Sequence, residues 1–194
     1  PKDIPDFARK IHVEASRMIQ LVNDILQLSN LDNVSEAGTP LTMETVDLLE
    51  VARECVERQK VNAKRSFISL TYLGESAPVL GSRSLLDELC QNLCDNAIRY
   101  NRPGGKVQII TACTRDGHCS LTVKDNGIGI PKEAQSSVFE RFYRVDKSRS
   151  KATGGTGLGL AIVKHIARIH NARIKLESEI GEGTTITVLF ETAH

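Results

Sequence analysis

"GGTGLGLAIVKH", residues 154–165, sets Gly154, Gly155, Gly157 and Gly159 directly ahead of an apolar pattern of helical period. Free backbone N–H groups at a helix start favour phosphate, and glycines let a ligand approach the backbone. The stretch is not a P-loop, because no Lys-Ser/Thr follows at the required spacing. Nor does it follow a parallel strand, as a dinucleotide fingerprint would. By itself it is a weak signal, and its meaning depends on the chain to either side.

Working outward, the helix is expected over 157–170. "RIKLESE" (173–179) and "TTITVLFE" (184–191) then alternate as two strands turned through Gly181-Glu182-Gly183. Upstream, residues 126–156 carry glycine, charge and serine without a steady period and read as a long mobile loop with a short helix inside. "KVQIITACT" (106–114) and "CSLTVKD" (119–125) read as a strand pair turned at Asp116-Gly117. A strong helix is expected over 83–100, another over 48–63, and strands at "LTMETVDL" (41–48) and "FISLTYL" (67–73). Mixed helices and antiparallel strands favour a two-layer α/β sandwich over a doubly wound sheet. Before a polar break at 33–40, residues 4–31 place Ile4, Phe7, Ile11, Ala15, Met18, Val22 and Ile25 at steps of three and four. That is the seam of a bundled helix, and Leu21 and Leu28 widen it. The expected organisation is a long helix (1–35), a linker (36–40) and a compact domain (41–194) whose mobile loop spans 126–156.

Composition excludes several classes. The 194 residues are 40% hydrophobic and 25% charged, with a formal net charge of +1. That balance gives no global pull toward nucleic acid or an anionic membrane, and no apolar run is long enough to span a bilayer. The five cysteines, odd in number and irregular in spacing, argue against a disulfide framework and for a reducing compartment. Cys90 and Cys94 read as small buried residues rather than metal ligands.

Two further motifs carry chemistry. In "NLCDNAIRYN" (92–101), Asn92 and Asn96 lie four apart on one helix face, with Arg99 and Tyr100 one turn on. Amide oxygens can complete a hard-cation shell and an arginine can meet phosphate, although surface helices carry scattered amides too. In "DNGIGI" (125–130), Asp125 ends a strand ahead of Gly127 and Gly129. A carboxylate there can accept from an exocyclic amine, and the same residues also suit a plain turn.

The order of these motifs is more specific than any one of them. With "FERFYRVDKSRS" (139–150) between them and Gly-x-Gly-Thr ending at Thr184, they resemble the ATP-binding domain of two-component sensor histidine kinases, over about 41–191. "FARKIHVEASRMIQLVNDILQLSNLD" (7–32) resembles the second helix of the family's dimerisation hairpin. The resemblance implies the α/β sandwich shared with gyrase-type ATPases, mixed sheet with helices on one face, preceded by a single long helix. It implies ATP and Mg²⁺ as ligands, with Asn96 on the metal and Asn92 supporting phosphates and the metal's water shell. Asp125 would take the adenine amino group, Tyr100 would lie against the ring, and the amides of Gly157 and Gly159 would meet phosphate. Gly127, Gly129, Gly155, Thr156, Leu158 and Thr184 complete the implied ATP-binding set. Arg99 stands where the family usually has Lys, which keeps charge and changes contact geometry.

Among the loop cations Arg141, Arg144, Lys147, Arg149 and Lys151, either Arg141 or Arg144 is expected on phosphate. Phe139, Phe142 and Tyr143 are expected to anchor the loop. Asn92 occupies the place where the hydrolytic branch has a water-activating Glu, so transfer is favoured over hydrolysis. No histidine here has the family's Ser-His-Glu/Asp-Leu/Ile-Arg/Lys-Thr/Ser-Pro acceptor box. His12, followed by Val-Glu-Ala-Ser, reads as a structural helix residue, and His118, His165, His170 and His194 have no acceptor context either. Opening on Pro1, the chain is expected to be a piece that begins just after the acceptor. The implied partners are ATP or ADP, the parent's hairpin and a response-regulator receiver domain, with no nucleic acid. The piece itself is expected to be a monomer or weak dimer. It would be the cytoplasmic part of a homodimeric, membrane-anchored parent. The competing reading is a nucleotide-binding or interaction module that has lost catalysis.

Overall fold

The computed structural model describes residues 4–37, 41–114, 117–145 and 155–191. Helix α1 (Ile4–Ala37) is followed by strand β1 (Glu44–Asp47), helix α2 (Leu48–Arg65), strands β2 (Ser69–Gly74) and β3 (Pro78–Gly81), and helix α3 (Arg83–Arg99). Strands β4 (Lys106–Cys113) and β5 (His118–Asp125), helix α4 (Gly159–Ile169), and strands β6 (Arg173–Glu179) and β7 (Gly183–Glu191) complete the chain. The main sheet has the order β2-β4-β5-β7-β6; β2 runs parallel to β4 and all other neighbours are antiparallel.

Alternation in the strands dictates the layering. Val107, Ile109 and Thr111 of β4, Cys119, Leu121 and Val123 of β5, and Ile186, Val188 and Phe190 of β7 are all buried, and the residues between them are more open. That face meets Leu48, Val51, Ala52 and Cys55 of α2, Leu86, Leu89, Leu93 and Cys94 of α3, and Ile162, Val163 and Ile166 of α4 in one core. The result is a mixed sheet with its helices on one face.

The small β1–β3 pair lay beyond the sequence reading for its second half. β3 has four residues beginning at a proline and exists through its pairing with β1. Asp47 ties the unit together. Its Oδ1 caps α2 by accepting from Leu49 N at 2.9 Å and accepts from Ala77 N at 2.9 Å; its Oδ2 accepts from Ser76 Oγ at 2.7 Å. At the entry to α3, Ser82 N donates to His170 Nε2 at 3.0 Å while His170 Nδ1 donates to Ile166 O at 2.8 Å. His170 is thus a buried structural histidine.

Three expectations are corrected. The helix runs through the supposed break at 33–37. Cys113 and Cys119 form a disulfide, because the β4–β5 register sets them directly opposite one another, a relation that spacing along the chain does not reveal. The cysteines therefore carry no argument about compartment. And the first part of the 126–156 stretch is anchored: Gln135 Nε2 donates to the carbonyls of Ile130 and Ser178, each at 2.9 Å, and Ala134 and Val138 are buried. Lys147, Arg149, Lys151, Gly154, Asp116 and His194 lie outside the described residues, as do the side chains of Ile4 and Phe7. Cys90 and Cys94 are fully buried as expected. No described helix is long and apolar enough to cross a membrane.

Candidate functional site

A cavity of about 1000 Å³ opens between α3, the end of β5, the 126–156 loop and the start of α4, with α1 along one side. Helix α3 commits its apolar positions to the core, which leaves Asn92 and Asn96 on the cavity wall. Asn92 Nδ2 donates to Glu88 O at 3.0 Å, so its Oδ1 points the other way. A Cβ at Gly159 would stand 3.0 Å from that Oδ1 and 3.5 Å from Asn96 Nδ2, so both amides face the first residue of α4. Gly157, two residues earlier, has φ +78°, a conformation that side chains resist. Helix α4 thereby presents its free N–H groups to the space beside the Asn92 carboxamide oxygen and the Asn96 carboxamide, a set that suits Mg²⁺ and phosphate together.

At the other end, Asp125 Oδ1 accepts from Gly127 N at 2.8 Å and from Thr184 N at 3.3 Å. Both bonds converge on one oxygen, which leaves Oδ2 for a ligand on the cavity wall. Burial pushes the carboxyl upward, against the two backbone donors that stabilise its charge. Tyr100 is 37% exposed at the rim.

Arg99 and Arg144 are the cationic side chains among the described lining residues. A Cβ at Gly155 would lie 3.0 Å from Arg99 Nη1 and 3.2 Å from Tyr100 Oη, which places both groups beside the returning end of the loop. Arg144 Nε and Nη2 are buried with no hydrogen-bond partner among the described residues. Buried guanidinium nitrogens without a partner among the described residues suit an anion.

Of the residues singled out from sequence, Asn92, Asn96, Arg99, Tyr100, Asp125 and Gly129 line the cavity, as do Arg144, Gly155, Thr156, Gly157, Gly159 and Thr184. Three do not. Gly127 supports Asp125 from behind, Leu158 is buried in the core, and Arg141 turns away to donate from Nη2 to both oxygens of Asp32 on α1, at 2.8 and 2.9 Å. Phe142, 58% exposed with φ +63°, is no anchor, although its N donates to Gly157 O at 3.0 Å. Glu88 does not line the cavity; its carboxyl faces Gln27 of α1. His12 is exposed on α1.

Sequence reasoning missed Gln20 and Asp24 of α1, and the set Gln59, Asn62, Gln91 and Asp95. Of these only Asp95 carried a signal, as the neighbour of Asn96. Gln59, 5% exposed, donates from Nε2 to Asp95 Oδ1, and Asn62 Nδ2 donates to Gln59 Oε1 at 3.1 Å.

A sheet with its helices on one face, and glycines at a helix start opposite two asparagines, defines an ATPase of one particular architecture. The family model for histidine kinase-, DNA gyrase B-, and HSP90-like ATPases matches residues 81–194, and the chain belongs to that family. Within it, the chain is a sensor histidine kinase catalytic domain. It is 43% identical over 192 residues to the sensor-like histidine kinase SenX3 of Mycolicibacterium smegmatis, over 97% of this chain and 48% of the relative. The chain therefore spans about half the length of that curated relative. The solved mycobacterial sensor histidine kinase MprB is 32% identical with a TM-score of 0.67, over 77% of this chain and 97% of that one. Full-length ShkA in complex with AMPPNP has a TM-score of 0.80 at 23% identity, over 97% of this chain and 39% of that one, and shares the fold.

Proposed function

We propose that this domain binds ATP with Mg²⁺ and transfers the γ-phosphoryl group to a histidine on its parent's dimerisation hairpin, for relay to a response-regulator receiver domain. The observation that carries the reading is the cavity wall itself. Asn92 and Asn96 face the N-terminal end of α4, and the guanidinium of Arg144 is buried nearby without a partner among the described residues. Asn96 would hold the metal and Asn92 its water shell. The ion would supply charge neutralisation at the phosphates. Asp125 would read adenine, Tyr100 would cover the ring, and Arg144 rather than Arg141 would meet phosphate, because Arg141 is already paired.

Transfer rather than hydrolysis follows from what surrounds the phosphate end. Asn92 has no basicity to activate water, and the Glu88 carboxyl is turned to α1. The acceptor comes from another polypeptide or segment: His12 is exposed, on a helix face without the flanking residues that prepare an acceptor.

The test mixes this chain, labelled ATP and Mg²⁺ with a separately made hairpin carrying the acceptor box. An acid-labile label should appear on the hairpin only, and Asn96→Ala should abolish it. Label on this chain alone that vanishes in His12→Gln would refute the assignment. Nucleotide binding without labelling of the hairpin would favour the module that has lost catalysis.

A further inference from the structure

Helix α1 brings carboxylates to the phosphate end of the cavity, where binding a polyphosphate calls for the opposite charge. Asp24, 7% exposed, lines the cavity and accepts from Gln20 Nε2 at 2.7 Å and from Thr156 Oγ1 at 2.6 Å. Two turns on, Asp32 holds Arg141 with both oxygens and lies 3.6 Å from His165 Nδ1. Thr156 and Arg141 belong to the two ends of the loop, and both polar groups are engaged by α1. Across the same seam, Glu88 Oε1 is buried without a hydrogen-bond partner among the described residues. Burial pushes the Glu88 carboxyl up to about 7, and the charge of Asp24 adds to the same direction. Leu28 and Leu31, each 4% exposed, seat the helix on the core and hold Asp24 in place.

With the base anchored at Asp125, added phosphates extend toward Gly155, Gly159 and Asp24. We infer that Asp24 is a specificity-determining residue that makes the domain with α1 seated prefer nucleoside diphosphate over triphosphate. The inference rests on the ATP-binding reading above. Its physical basis is that a third phosphoryl group meets a buried carboxylate, and the loop donors that would offset its charge are already bound to Asp24 and Asp32. Arg99 and Arg144 serve the diphosphate in either case.

Calorimetric titration of the full chain with Mg²⁺-ATP and Mg²⁺-ADP tests this, on the unsubstituted chain, Asp24→Asn and Leu28→Asp. The asparagine side chain keeps one acceptor oxygen, for Thr156, and removes the charge together with the second acceptor, which serves Gln20. The ATP-to-ADP affinity ratio should rise about tenfold in Asp24→Asn, with ADP affinity changed less than about twofold. Leu28→Asp, which unseats α1, should raise the ratio similarly, and the double variant should go no further. An unchanged ratio in Asp24→Asn, or an equal gain for both nucleotides, overturns the inference while leaving nucleotide binding intact. A ratio that moves in Leu28→Asp alone shows that α1 acts through another group and also overturns it. Failure of the unsubstituted chain to bind either nucleotide refutes the underlying functional reading instead.

Discussion

On the proposed reading, Asp125 is the residue that would select the base. Its carboxylate, fixed by Gly127 N and Thr184 N, accepts from an exocyclic amine and repels a carbonyl oxygen at the same place. Replacing it with asparagine should reduce the preference for ATP over GTP by on the order of 1–3 kcal/mol, read as a ratio of affinities in competition titration. Equal affinities for ATP and GTP in the unsubstituted chain would remove Asp125 from that role. Glu88 makes a second prediction at this scale, with a definite sign. Its folded-state value of about 7 lies above the ordinary 4.5, so the folded state holds the proton more tightly than the unfolded chain. The stabilisation is complete below about pH 4.5 and is lost as pH rises through about 7. Glu88→Gln, neutral throughout, should match the parent near pH 4.5 and exceed it at about pH 8. Solvent screening of a half-buried group holds the gain to on the order of 1 kcal/mol. Thermal melts across this range check it, and a variant less stable than the parent at the alkaline end would contradict it.

Helix α1 divides its apolar side chains between two faces. Leu21, Leu28 and Leu31 pack on the core with Asp24 among them. Ile11, Met18, Val22 and Ile25, which the sequence placed in a bundle seam, are 44–60% exposed. The steps of three and four correctly described a helix with a sticky stripe, and the stripe is open to another helix while the neighbouring face holds the catalytic domain. Leu28→Ala should cost about 2–4 kcal/mol at this seam. Because the rest of the core lies in α2, α3, α4 and the sheet, the loss should appear as faster hydrogen exchange and proteolysis in α1, with the sheet unaffected. Cooperative loss of the whole domain at the same denaturant concentration would mean that α1 is integral to its folding.

For the whole molecule, the same exposed stripe sets the association behaviour. An apolar stripe left open on α1 favours self-association. Light scattering should show a monomer at low concentration with weak association as concentration rises, and Met18→Lys together with Val22→Lys should suppress it. A tight dimer at all concentrations would show that α1 suffices for the bundle.

Asn92 with Asn96, Asp125, and the glycines at 155–159 were legible because a helix repeat, a strand end and a helix start are local features, and their order along the chain is specific. The strands at 106–114, 119–125 and 184–191 were legible for the same reason, and the structure then shows which of their faces meets the helices. Pairing across distance was not legible. The bridge between Cys113 and Cys119 depends on hairpin register, β3 depends on β1, and the choice between Arg141 and Arg144 depends on Asp32, which is 109 residues from Arg141. The entry of Asp24 into the nucleotide cavity depends on how a separate helix seats on the domain. Chain-local geometry sets which groups exist on which face, and long-range packing alone decides which of them meet, because those contacts join segments whose separation in sequence carries no information about their distance in space.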